Sequence, residues 1–127
     1  MAKEFTMKVE DRPGALADLA EILAQDAINI VAIHATPCPD QGIVQFITDN
    51  NDATVNALNT MNAEYSVRDV LLVSLTHQPG ALAQLTRALA NAGININAIY
   101  ITIGGQLVLD VSELAKAQRI AMSIGIM

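Results

Sequence analysis

The feature that most constrains this chain is a heptapeptide that it contains twice, DRPGALA at residues 11–17 and HQPGALA at residues 77–83. Aligning residues 11–35 with residues 77–101 without a gap gives thirteen identities in twenty-five positions. Average residue usage would give about one or two by chance. Because self-similarity at a fixed spacing marks a repeated structural unit, the chain is predicted to fold as two similar halves.

Each copy is predicted to form a turn, an amphipathic helix and then a strand. Proline is well tolerated at a helix start, where its missing N–H is not needed. In the first copy Leu16, Leu19 and Leu23 recur at spacings of three and four residues, the period of a helix with one buried face. The second copy repeats this spacing, and an Ile-Asn-Ile run after each helix opens a β-branched strand.

The remaining periodicity predicts the order β-α-β-β-α-β in each half, with domains at residues 1–68 and 69–127. The predicted fold class is α+β, a ferredoxin-like unit duplicated in tandem, with antiparallel sheets and helices on one face. Eight strands are expected in one extended sheet, with the strands at residues 65–68 and 70–75 either separate or continuous. The last is a short strand within residues 123–127. A loop is predicted at residues 36–42, and Ser112 is predicted to cap the last helix.

Charge and composition exclude several classes of protein. Residues 1–66 carry three basic and ten acidic side chains (−7), whereas residues 67–127 carry four basic and three acidic ones (+1). An acidic half with few aromatic residues argues against nucleic-acid binding. No apolar run approaches the roughly 20 residues of a membrane span, and the N-terminus lacks the layout of a secretory signal. Cys38 is the single cysteine and so cannot form an internal disulfide. Together these features make the cytoplasm the expected location.

The repeated pattern resembles the ACT domain. The resemblance rests on Asp-x-Pro-Gly-x-Leu-Ala, a helix, and then Gly/Ala-Ile-Asn-Ile, and it covers nearly the whole chain as two tandem copies. It implies an amino-acid-sensing module whose domains pair side by side and hold a ligand at the pair interface. The loop before the first helix supplies one wall, and the Asn that opens the next strand contacts the ligand, often across the pair. The implied partners are a free amino acid or similar small acid and a second copy of the chain.

Carried over position by position, the resemblance gives twelve ligand-binding candidates. They are Asp11, Arg12, Gly14, Ala15, Leu16 and Asn29 in the first copy, and His77, Gln78, Gly80, Ala81, Leu82 and Asn95 in the second. Free N–H groups at each helix start suit a carboxylate, Asp11 can accept from an ammonium, and an Asn amide can donate or accept. Because the two loops differ in their first two residues, the sites cannot be equal, and the Asp11 loop is expected to be the stronger amino-acid site.

Each of these residues also has a simpler interpretation. The Pro-Gly pairs can serve helix initiation alone, and Asn29 and Asn95 can cap turns. A loop histidine such as His77 is commonly just solvated, and His34 is interpreted as a structural or surface histidine. Cys38 lies between two prolines without a neighbouring base and is interpreted as incidental.

The chain carries no catalytic or cofactor motif that would favour an enzyme. It contains no Gly-rich phosphate loop, no Cys-x-x-Cys and no His-Glu-x-x-His, so neither a cofactor nor a metal site is expected. The favoured function is a non-enzymatic amino-acid sensor. The alternative is a regulatory subunit that docks on an amino-acid biosynthetic enzyme, like the small subunit of acetolactate synthase. An amino-acid metabolic enzyme is the third hypothesis.

Overall fold

The computed structural model describes residues 2–127, whose contacts divide into two compact units. The first unit is Lys3–Arg68, and the second is Asp69–Met127 together with Ala2. The elements in chain order are β1 (Ala2–Glu10), α1 (Ala15–Gln25), β2 (Ile30–Cys38), β3 (Gln41–Thr48), α2 (Asn51–Thr60), β4 (Tyr65–Val73), α3 (Ala81–Asn91), β5 (Ile96–Ile101), β6 (Leu107–Val111) and α4 (Leu114–Ser123). The predicted α+β class with a duplicated ferredoxin-like pattern is confirmed.

The first unit has the strand order β2-β3-β1-β4, with β1 and β2 both antiparallel to β3. Phe5 and Phe46 lie opposite each other on β1 and β3, and their rings stack with centroids 5.5 Å apart. Leu19 and Leu23 from α1 and Leu58 from α2 pack against this pair, and all three leucines are buried. The helix period read from the sequence therefore marks the face of α1 that covers the sheet.

The second unit has the strand order β4-β6-β5, with both pairings antiparallel. Its core is aliphatic: Leu71 of β4 faces Leu109 of β6, and Leu85 and Leu89 from α3 pack on them. Ala117 of α4 belongs to the same buried cluster. Both units thus bury one face of each helix against a sheet.

The predicted number of strands is wrong, because the described residues hold six rather than eight. One strand is lost because the segments at residues 65–68 and 70–75, expected as two strands or as one continuous strand, form the unbroken β4. The other is the short final strand predicted within residues 123–127. That segment cannot form a strand because α4 extends through Ser123 and a turn at Gly125, with φ +76°, follows it. Only Ile126 and Met127 remain after the turn, and the Ile126 carbonyl accepts one hydrogen bond from the Ser74 N–H.

The loop predicted at residues 36–42 is instead a tight turn between two long strands. Pro37 pairs with Gly42 and Cys38 with Gln41, so that only two residues connect β2 and β3. Asp40 supplies the left-handed conformation of the turn, with φ +63°. Proline is tolerated here because β2 lies at the edge of its sheet, where a missing backbone donor breaks no ladder bond.

Candidate functional site

The β1–α1 loop and its repeat before α3 have the same backbone geometry. Gly14 and Gly80 occupy the N-cap positions with φ +93° and +91°, a left-handed conformation that glycine adopts without strain. The next amide donates back across the turn in both copies, Ala15 to the Arg12 carbonyl and Ala81 to the Gln78 carbonyl, at 3.3 Å each. The repeated Pro-Gly therefore encodes one specific turn, and it does so twice.

Neither of these helices has a side-chain cap at its start. In the first copy the backbone N–H groups of Leu16 and Ala17 make no hydrogen bond within residues 2–127. Such groups carry the positive end of the helix dipole and attract an anion. Leu16 is itself 42% exposed, and its second-copy equivalent Leu82 is 46% exposed. Both helix starts are thus open to solvent and to a ligand.

A cleft of about 360 Å³ lies beside the first of these loops. It brings together four of the predicted site residues, Asp11, Arg12, Ala15 and Leu16. The opposite wall comes from the end of β2 and the start of β3, including Thr36. A carboxylate, the uncapped helix start and an apolar side chain therefore line one cleft.

Arg12 is held by three hydrogen bonds within its own loop. Its Nη2 donates to Asp18 at 2.9 Å, its Nε donates to Glu10 at 2.8 Å, and its Nη1 donates to the Pro13 carbonyl at 3.2 Å. The hydrogen bond to Asp18, followed by the one to Glu10, raises the pKa of Arg12 above its ordinary value. Its charge is thus neutralised locally and its side chain is fixed.

Asn29 lies at the opposite end of the first unit from this cleft. The strand register pairs Ile30 with Thr48 at one end of the sheet, whereas β1 ends at the other, next to the start of β3. The Asn29 side-chain amide donates to Asp49 at 3.1 Å and its backbone N–H donates to the same carboxylate at 3.0 Å. Within the first unit, Asn29 is therefore not brought to the Asp11 cleft.

The second copy places its candidates in the same way but with other side chains. The Asn95 side-chain amide donates to Asn97 at 3.0 Å, and its backbone N–H donates to the Ser112 hydroxyl at 2.9 Å. The prediction that Ser112 caps α4 is wrong, because the N-cap of α4 is Glu113. The Ser112 hydroxyl instead accepts the hydrogen bond from Asn95. Around the second loop, His77, Gln78, Gly80 and Leu82 are exposed and Ala81 is half-buried.

A second and larger cleft, of about 680 Å³, was not predicted from the sequence. It lies on β1 next to the turn between α2 and β4, and Arg12 lines it as well as the smaller cleft. Its lining includes Lys8 and Glu64, neither of which belongs to a repeated motif. Only the fold brings these two residues near the loop, so that no local pattern could have identified them.

Within residues 2–127, no group of three or more His, Cys, Asp or Glu side chains is placed to hold a metal ion. None of the helices in that range is long and apolar enough to cross a membrane.

Comparison with known proteins decides the family. The family model of the ACT domain pair matches residues 3–124. The chain belongs to this family. A comparison with curated protein sequences finds no significant match.

Solved structures resemble this ACT domain pair over nearly its whole length. Protein BT0572 from Bacteroides thetaiotaomicron has a TM-score of 0.90 and 26% identity, covering 98% of this chain and 89% of that one. The ligand-free regulatory subunit of aspartate kinase from Thermus thermophilus has a TM-score of 0.71 and 22% identity, covering 97% and 89%. Aspartate kinase from Synechocystis has a TM-score of 0.72 and 19% identity, covering 96% of this chain but 24% of that one. At the lower identities, the likeness shows a shared fold alone.

Proposed function

We propose that this ACT domain pair is a non-enzymatic regulatory protein that binds a free amino acid or similar small acid in the cleft beside Asp11. The observation that carries the proposal is the meeting of the Asp11 carboxylate with an uncapped helix start in one cleft. An amino acid needs an acceptor for its ammonium group and donors for its carboxylate, and these two features supply one each.

The proposed pose follows from which groups are still available. The ligand carboxylate accepts from the free N–H groups of Leu16 and Ala17, where the helix dipole favours a negative charge. Its ammonium donates to Asp11, which makes no hydrogen bond within residues 2–127. Arg12 is not the carboxylate donor in this pose, because Asp18 and Glu10 already occupy it.

An asparagine from a paired ACT domain would complete the site. In both copies the side-chain N–H₂ group is occupied by a neighbour, Asp49 for Asn29 and Asn97 for Asn95. In the described part of the chain, the Oδ1 atom of each of these two asparagines accepts no hydrogen bond. We therefore assign it the acceptor role toward the ligand ammonium, with the ligand held between paired domains in a homo-oligomer in the cytoplasm.

The test is a thermal-shift screen of the twenty amino acids, followed by calorimetric titration of the one that raises the Tm most. Asp11→Ala should weaken binding roughly tenfold to a hundredfold, the equivalent of about 1.5–3 kcal/mol for a hydrogen bond between charged groups. His77→Ala, the same position in the second loop, is the matched control and should bind more nearly like the unmodified chain.

Two further variants identify the completing residue. Asn29→Ala and Asn95→Ala should differ in ligand affinity. Only the variant that removes the asparagine reaching the Asp11 cleft should bind more weakly. If Asp11→Ala binds with unchanged affinity and His77→Ala binds more weakly, the ligand site lies beside the second loop and not beside the first. Unchanged affinity in all four variants would contradict the proposed site.

A second candidate function is a regulatory subunit that docks on an amino-acid biosynthetic enzyme. It is favoured by the likeness in fold to the Thermus thermophilus regulatory subunit of aspartate kinase, most of which this chain covers. Mixing the purified chain with the catalytic subunit of aspartate kinase from the same source would test it. Co-elution and an amino-acid-dependent change in kinase rate would support docking. Separate elution and an unchanged rate would exclude this enzyme as the partner.

A further inference from the structure

Three carboxylates lie around the start of α1, and Arg12 is paired with two of them. Glu10 and Asp11 line the smaller cleft together with Arg12. Asp18 lies in the first turn of α1, and a helical side chain leans toward the N-terminus of its helix. Without the charge of Arg12, a carboxylate bound at this helix start would be flanked by Glu10 and Asp18 and repelled by both.

The Arg12 guanidinium holds these two carboxylates with separate nitrogen atoms. Its Nε donates to Glu10 Oε2 at 2.8 Å, and its Nη2 donates to Asp18 Oδ2 at 2.9 Å. Neither carboxylate makes another ion pair in the described part of the chain. A guanidinium carries its donors in a rigid planar fork, so it can hold two carboxylates in fixed positions at once. Arg12 therefore neutralises Glu10 and Asp18 and leaves Asp11 charged.

These ion pairs contribute little to folding. The side chains of Arg12, Glu10 and Asp18 are 46%, 78% and 57% exposed, and pairs between exposed side chains stabilise proteins only weakly. Their effect on an anion at the start of α1 is more direct, because a charge within the first turn acts on the same free N–H groups that would bind the anion. Ligand binding is therefore the property in which Arg12 should matter most.

The repeat shows that the three charges belong together. Sixty-six residues later, uncharged residues replace all three: Thr76, Gln78 and Gln84. The left-handed glycine and the turn are the same in both copies, so the backbone does not need the arginine. The arginine is present where the two acidic neighbours are present, and it is absent where they are absent. This pattern fits a residue whose task is to neutralise those neighbours.

We propose that Arg12 is a positioning residue of the proposed amino-acid site. It binds Glu10 and Asp18 instead of the ligand, and it thereby keeps the start of α1 open to a carboxylate. When Arg12 is removed, the two carboxylates repel the anion, and the Asp18 charge interacts with the helix start in its place. The inference rests on the proposed binding of an amino acid beside Asp11, and it adds the residue that lets an acidic loop accept an anion.

Reversal by a second substitution tests this role. The probes are the twenty L-amino acids at millimolar concentration in a thermal-shift assay, followed by calorimetric titration with the one that raises the Tm most. Arg12→Gln should weaken its binding about threefold to tenfold, because two unneutralised charges then lie near the bound carboxylate. Adding Asp18→Asn to this variant removes one of those charges and should restore most of the affinity. Arg87→Gln, which removes an exposed arginine of the second unit, is the matched control and should bind like the unmodified chain.

The result for Asp11→Ala separates this inference from the proposed function. Weaker binding by Asp11→Ala and by Arg12→Gln, with recovery when Asp18→Asn is added, supports the positioning role. Weaker binding by Asp11→Ala alone keeps the amino-acid site and overturns the role of Arg12. Equally weak binding by Arg12→Gln with and without Asp18→Asn also overturns it, because Arg12 would then contact the ligand itself. A chain that responds to none of the amino acids, or that binds unchanged in Asp11→Ala, refutes the proposed function and this inference together.

Discussion

The two Pro-Gly loops of this chain have the same backbone and different chemistry. Gly14 and Gly80 differ by 2° in φ and have the same ψ. The polar residues around them have nevertheless diverged completely: Glu10, Asp11, Arg12 and Asp18 in the first copy correspond to Thr76, His77, Gln78 and Gln84 in the second. The same turn and helix start therefore form with two different sets of polar side chains, and the charged set belongs to the first copy alone. Three pairs of substitutions and one single substitution test whether the two copies are equivalent.

The largest effect is expected in the cores, where the two copies should behave alike. Leu23 and Leu89 are equivalent residues, and both are fully buried. Replacing either by alanine removes the same buried methyl groups and leaves a cavity, at a cost of about 2–5 kcal/mol. Urea unfolding of Leu23→Ala and Leu89→Ala measures both. A cost near zero in one copy would show that its helix does not need this contact.

A smaller loss is expected at the two glycines. Alanine at Gly14 or Gly80 would have to adopt a left-handed conformation that costs about 1–2 kcal/mol. A Cβ at Gly14 would approach Arg12 Nη1 only to 3.4 Å, and one at Gly80 would meet nothing within 4 Å, so that strain alone should set the cost. Gly104→Ala, whose backbone is not left-handed, is the control for thermal unfolding. Clearly unequal losses would contradict the equivalence of the two turns.

The second helix of each copy should show a difference of about 1 kcal/mol. Asn50 caps α2 by accepting a hydrogen bond from the Ala53 N–H at 3.0 Å, whereas Glu113 at the start of α4 makes no capping bond. Asn50→Ala should therefore cost about 0.5–2 kcal/mol, and Glu113→Ala should change stability by less than about 0.5 kcal/mol. Equal losses in denaturant titrations would refute this interpretation of the caps.

The smallest effect is expected for Arg12→Gln, which places the second-copy residue in the first loop. Arg12 is exposed and its ion pairs lie in water, where such pairs contribute little. Because the pKa of Arg12 is raised, the stability that its two ion pairs contribute is lost only as the pH rises above the ordinary arginine pKa. No Arg12-dependent change in Tm is therefore expected between about pH 6 and pH 9. A pH-dependent difference in Tm between this variant and the unmodified chain would show that another group is coupled to Arg12.

Much of the fold could be predicted from local pattern because local physics determines it. The leucine spacing located the buried face of α1, and the repeated Pro-Gly located both helix starts. The number of strands could not be read in the same way. Whether Arg68 and Asp69 separate two strands or lie within one depends on pairing with distant strands, as in β4. Likewise, Pro37 favours a loop in the sequence, and only the position of β2 at the edge of the sheet explains why Pro37 can lie in a strand.

The candidate site divides along the same line. The residues of the β1–α1 loop are neighbours in sequence, and four of them do line one cleft. The hydrogen bonds of Arg12 to Glu10 and Asp18 could have been anticipated from the repeat alignment, where all three positions lose their charge together in the second copy. The pairing of Asn29 with Asp49 and the approach of Glu64 to β1 arise only from tertiary structure.

The continuous strand β4 also limits where the chain can be divided into separately produced halves. Its residues Tyr65–Val73 belong to both compact units, and the boundary lies between Arg68 and Asp69, in the middle of the strand. A plasmid that encodes either half alone would leave that half with only part of the strand and with unpaired backbone groups at its end. Recombination that exchanges one copy for another ACT domain should therefore succeed with a crossover before Tyr65 or after Val73, and fail at the repeat boundary itself.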